Sequence, residues 1–174
     1  MTVENDPVRA EMIALLPRLR RFARALAGNQ PDADDLVQDT IERALSRIAL
    51  WTPGTRLDSW MFRIAQNLWI DRTRSNKSRG TPIDVETLGN VLSTDGERAV
   101  HAKLTLNLAE QALMALPAEQ RSVVALVLID GMSYREAADV LEVPMGTVTS
   151  RLGRARTALA ERVFGPAEDE RLLP

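Results

Sequence analysis

The sequence predicts an all-α protein made of two small helical domains joined by a flexible linker, the second domain containing a helix-turn-helix. Three observations carry this. Hydrophobic residues make up 45% of the 174 residues but aromatic ones only 4%, which is material for compact helical cores and not for a β-sandwich. Apolar residues recur at helical spacing in one segment after another. Between those segments the stretch Ser75 to Gly96 loses the periodicity and gathers Gly80, Pro82, Gly89 and Gly96, the composition of a linker. The expected division is a first domain over 1–75, a linker over 76–96, a second domain over 97–164 and a short acidic tail over 165–174.

The first helix is expected from about Val8 to Leu26, with Ile13, Leu16, Leu19 and Ala23 in near-helical spacing, a kink at Pro17 and a stop at Gly28-Asn29. A second begins near Asp32 to Asp35. Its apolar stripe is Leu36, Thr40, Ile41, Ala44, Leu45 and Ile48, with Asp35, Asp39 and Glu42 on another face, and Trp51-Thr52-Pro53-Gly54 ends it. A third runs from Asp58 to Arg74 and buries Met61, Ile64, Ala65 and Leu68. After the linker, Thr94 and Glu97 form a capping box for a helix that stops at Pro117. Val123, Val124, Leu126 and Val127 follow in an apolar helix ending at Asp130-Gly131.

Ser133 then caps a short helix, Tyr134 to Leu141, in which Ala137, Ala138 and Leu141 face a core, and Glu142-Val143-Pro144 breaks it before a final helix from Met145 to Arg162. Two helices joined by a turn of this length make a helix-turn-helix. With Val148, Leu152, Ala155 and Leu159 as the buried stripe, Thr147, Ser150, Gly153, Arg154 and Thr157 face outward, flanked by Thr149 and Arg151. Small and hydroxyl side chains permit close approach, and arginines contact phosphates and guanine edges, which suits a recognition helix in a major groove. On this segment alone, a helical hairpin with solvated arginines stays open as the alternative.

Charge is distributed by segment. Arg56 to Arg79 holds six basic side chains against Asp58 and Asp71, whereas Asp32 to Glu42 holds four aspartates and a glutamate with no base. The formal net charge of −2 argues against a generic nucleic-acid coat, so the opposite signs point to two different partners. Cysteine is absent and His101 is the only histidine, which excludes a Cys/His zinc site or a thiol switch within the chain. No cofactor or metal is expected. No nucleophile-base pair or phosphate-binding glycine loop marks an enzyme. The polar, acidic stretch Met1 to Pro7 and the lack of a spanning apolar run predict a cytoplasmic protein.

The stretches Gly131 to Ala138 and Pro144 to Arg156 resemble the final DNA-binding domain of the extracytoplasmic function (ECF) sigma factors of bacterial RNA polymerase. Asp32 to Thr40 resembles that family's polymerase-binding helix, and Ser59 to Asn67 its promoter-opening helix. The three motifs stand in the family's order across the linker. The resemblance implies a sigma factor that directs core RNA polymerase to promoter DNA, in a stress or envelope response, under an anti-sigma factor. The two domains would correspond to sigma regions 2 and 4.

By the same resemblance Asp35, Gln38, Asp39 and Glu42 would dock on a basic coiled-coil of the polymerase clamp, their charge setting encounter rate and register more than affinity. Arg56, Trp60, Arg63, Asn67, Arg72, Arg74 and Lys77 would serve the melted minus-10 strand. Asn67 is the base-contact candidate because its amide both donates and accepts. Trp60 reads equally as a core residue beside Ile64. Ser133, Tyr134, Thr147, Thr149, Ser150, Arg151 and Arg154 would serve the minus-35 element, although Thr149 stands where many relatives carry a basic residue. The linker reaches about 70–80 Å when extended, and promoter elements one to two turns apart lie about 34–70 Å from each other, so one chain spans both. Two rival functions share the features: a sigma-mimicking adaptor that sequesters an anti-sigma protein, and a helix-turn-helix regulator without polymerase contact.

Overall fold

The computed structural model describes residues 7–79 and 106–165, with the side chains of 76–79 outside the description. All its regular elements are helical: α1 (Pro7–Ala27), α2 (Gln30–Ser46), a 3-10 turn (Ile48–Leu50), α3 (Leu57–Arg79), α4 (residues 106–114), α5 (Ala118–Val124), α6 (Tyr134–Leu141) and α7 (Met145–Phe164). The capping box at Thr94 and Glu97, the linker from residue 80 onward, His101 and the tail beyond 165 lie outside the described residues.

Helix boundaries follow local chemistry. Asn29 caps α2 by accepting the Asp32 N–H at 2.9 Å, and Pro31 stands in the first turn, where a missing N–H costs nothing. The helix therefore starts at Gln30, slightly before the expected position. Helix α3 continues past the expected end at Arg74 to Arg79 because no breaker precedes Gly80. Pro17 lies inside α1 without ending it. At α6 the Ser133 hydroxyl accepts from the Glu136 N–H and the Glu136 carboxylate accepts from the Ser133 N–H, a closed capping box. Glu142 ends α6 in the left-handed region at φ 54°.

Helices α1, α2 and α3 pack together around Leu19, Phe22, Leu26, Leu36, Met61 and Phe62; in the second half α5, α6 and α7 surround Val123, Leu126, Val140, Val148 and Leu152. The two sets of buried side chains form one continuous cluster, since α1 packs on α5 and its extension and α3 packs on α6. Two residues expected in apolar stripes are exposed instead. Ile13 is 66% exposed and Leu45 43%. Helix α1 carries more apolar positions than one face can bury, and Met12, Leu15 and Phe22 occupy the inward face instead. On α3, Phe62 and Trp69 are buried while Ile64 and Leu68 are half-buried.

Gly28 closes α1 at φ +77°, and a Cβ there would run into the Met114 side chain of α4. An L-residue in the left-handed region costs about 1–2 kcal/mol, and Met114 must also move. Gly28→Ala is expected to destabilise the protein by about that amount, read from the urea unfolding midpoint; an unchanged midpoint would mean the turn tolerates a side chain.

Candidate functional site

Three surfaces hold the residues singled out by sequence. On α2, Asp35, Gln38 and Glu42 are exposed, with the Gln38 amide donating to Glu42 at 3.0 Å. Asp39 is half-buried and accepts from Arg72 of α3 at 2.5 Å. Two residues assigned to different partners are thus bound to each other and tie α2 to α3.

The second surface is α3 with the loop before it. Asn67 and Arg74 are exposed, Trp60 is half-buried against the core, and Lys77 lies outside the described side chains. Arg56 pairs with Asp58 through Nε at 3.0 Å and Nη2 at 2.6 Å, and with Glu136 of α6. Arg63 donates to the Asp139 carbonyl at 2.7 Å and stands 3.6 Å from Glu142. Burial alone would raise the Asp58 carboxyl, but hydrogen bonds from Arg56, the Ser59 N–H and Arg18 outweigh it and hold the group below the usual carboxylate range.

Arg18 was not among the sequence candidates. Its guanidinium binds Asp130 through Nε at 3.1 Å and Nη2 at 2.7 Å, reaches Asp58 at 3.2 Å and lies 5.4 Å over the Phe62 ring. The hydrogen bond to Asp130 is the main reason its pKa is raised. Asp130 is brought there by a π-helical turn, Ala125–Ile129, that extends α5 and closes with the Asp130 N–H on the Ala125 carbonyl at 2.9 Å. A wider turn is a frequent device for placing one side chain at a functional contact.

The third surface is α7. Val148, Leu152 and Ala155 are buried, while Thr149, Ser150, Gly153, Arg154 and Thr157 face solvent. Thr147 and Arg151 are half-buried, and Arg151 pairs with Glu119 at 2.6 Å. Ser133 is committed to the α6 cap, and Tyr134 is half-buried at its first turn. Among the described residues, no group of His, Cys, Asp or Glu side chains is placed to hold a metal, and no helix is long and apolar enough to cross a membrane.

Both halves of the chain are shared with known proteins. Residues 12–66 match the Sigma2 domain of PhyR, and residues 106–159 match sigma-70 region 4. The ECF RNA polymerase sigma factor EcfG of Rhodopseudomonas palustris is 36% identical over 160 residues, 92% of this chain and 87% of that relative. The chain belongs to the ECF sigma factors. Its fold is accordingly that of two sigma domains, region 2 followed by region 4. The solved sigma factor RpoE of Bartonella quintana, in complex with the anti-sigma factor NepR, superposes with a TM-score of 0.73 at 31% identity, covering 90% of this chain and 96% of that one. The anti-anti-sigma factor PhyR of the same organism, at 15% identity and a TM-score of 0.60, shares the fold over 89% of this chain and 50% of its own.

Proposed function

We propose that this ECF sigma factor selects promoters for bacterial RNA polymerase. Helix α2 docks on the core enzyme, α3 and the loop before it hold the melted minus-10 strand, and α7 reads the minus-35 element from the major groove. The observation that carries this is the succession of region 2 and region 4 in one chain that matches a sigma factor over 92% of its length. In this reading the protein is a binding subunit of the cytoplasm without enzymatic activity or cofactor, and an anti-sigma factor is its regulator, as in the RpoE complex with NepR.

The mechanism is one of differential binding. Unstacking a base costs a few kcal/mol per step, and the exposed Asn67 amide with the arginines of α3 supplies contacts that exist only for the opened strand. Phosphate contacts fix register, while Arg154 on the free face of α7 reads base edges.

Run-off transcription with purified core polymerase tests the reading: promoter-dependent transcripts are expected only when the chain is added. Asp35→Arg with Glu42→Arg should weaken binding to core without loss of helicity, because both side chains are exposed and α2 keeps its buried stripe. Asp39 is unsuited to this test, since replacing it also breaks the pair with Arg72. Unchanged affinity of the double variant in a titration against core would leave the acidic face as ordinary solvated surface.

A second reading, sequestration of an anti-sigma factor, is favoured by the match of residues 12–66 to the Sigma2 domain of PhyR. It predicts no transcripts with core alone and relief of inhibition when a second sigma factor and its anti-sigma protein are present.

A further inference from the structure

Apart from its arginines, helix α7 presents no long hydrogen-bond donor. Its sequence contains no Asn, Gln or Lys, so the bidentate amide that recognises adenine is missing. Arg151 is taken by Glu119 at 2.6 Å. The hydroxyls of the exposed face are turned onto the helix's own carbonyls: Thr149 donates to Met145 at 3.1 Å, Ser150 to Thr147 at 3.1 Å and Thr157 to Gly153 at 3.3 Å. A threonine hydroxyl bound to the carbonyl four residues back lies against the preceding turn. The γ-methyl group is then the part of Thr149 free to meet a groove. Thr157 stands two turns further along, and it is the N-terminal residues of a recognition helix that reach base edges.

Gly153 follows Thr149 by one turn and shares its side of the helix. Glycine inside a helix weakens it relative to alanine. Yet a Cβ at Gly153 would meet nothing within 4 Å, and the backbone there is helical, so neither packing nor conformation calls for glycine. Bare backbone at this position lets α7 lie closer to the base edges beside Thr149.

We propose that Thr149 and Gly153 determine specificity within the minus-35 element: the Thr149 methyl group packs on the 5-methyl group of a thymine, at a depth in the groove that the missing side chain of Gly153 permits. The inference rests on the assignment of α7 to that element. Thymine alone carries an apolar group in the major groove, so the contact separates it from the other three bases without any donor or charge. Removing one such methyl group from water contributes about fourfold in affinity.

The test uses the full chain bound to core polymerase. A duplex is selected from a random-sequence library, and each thymine on either strand is exchanged in turn for deoxyuridine, which removes only the 5-methyl group. One exchange in the upstream element is expected to weaken the parent about fourfold. Thr149→Ser keeps the hydroxyl and loses the methyl group, so it should bind the thymine and deoxyuridine forms of that site equally. Thr149→Val keeps a methyl group and should retain the discrimination. Gly153→Ala should raise the urea unfolding midpoint of the free chain and lower affinity for the selected duplex by at least the same factor. A more stable variant that binds more weakly separates a role at the DNA from a role in the fold. Discrimination at the same thymines in parent and Thr149→Ser overturns the proposal and leaves the promoter reading standing, as does unchanged affinity or a lowered midpoint in Gly153→Ala. Failure of the parent to enrich any sequence overturns the promoter reading and this readout with it.

Discussion

Phe62→Ala is expected to lower stability by about 3–5 kcal/mol, the usual cost of truncating a fully buried aromatic side chain, and so to remove a large share of a total that is typically about 5–15 kcal/mol. Phe62 is completely buried, its ring centroid is 5.1 Å from that of Phe22 with the planes tilted by 59°, and the Arg18 guanidinium lies over its face. Truncation therefore opens a cavity between α1 and α3, breaks an aromatic pair and removes the floor beneath the cation that holds Asp58 and Asp130. Phe62→Leu fills much of the space and should cost clearly less. Urea unfolding followed by far-ultraviolet circular dichroism measures both. A loss below about 1.5 kcal/mol for the alanine variant would mean that the neighbouring helices collapse onto the site.

The sequence made some of this structure legible and hid the rest for physical reasons. Helix α6 has the expected bounds, Tyr134–Leu141, because a hydroxyl cap before it and a Pro144 break after it are local signals. The inward face of α7 is likewise local: Val148, Leu152 and Ala155 are spaced on one stripe and are buried. Ile13 and Leu45 were misplaced because periodicity counts apolar residues without knowing how wide a face the neighbours cover. With Met12, Leu16 and Ile41 they line a shallow groove between α1 and α2. Charge counted along the chain showed an acidic segment and a basic one, but not that Asp39 and Arg72 satisfy each other. Arg18 and Asp130 lie 112 residues apart, and nothing in the spacing of either announces the pair. Asp130-Gly131 marks where this helix stops, but nothing in the residues before it marks the last turn as π-helical. The candidate face of α7 was thus readable from sequence, whereas the pairs that engage Arg56 and Arg63 required the packing of the two halves.

Arg154 and Asn67, proposed to contact the minus-35 and minus-10 elements, should fail in different ways. Arg154 projects from the exposed face of α7, so Arg154→Ala should weaken recognition of the minus-35 element by about 1–3 kcal/mol if it contacts a base pair bidentately, with no change in fold. Asn67 is exposed on α3, away from the buried positions Met61, Ala65 and Trp69. Asn67→Ala should leave closed-complex formation almost unchanged and impair opening. On a template whose minus-10 element is already unpaired, the unstacking cost is gone but the lost base contact is not, so Asn67→Ala should be only partly rescued. Arg154→Ala should gain nothing there beyond the general benefit of pre-melting. Permanganate footprinting on duplex and pre-melted templates resolves the two steps, and equal defects for both variants on both templates would refute the division of labour between α3 and α7.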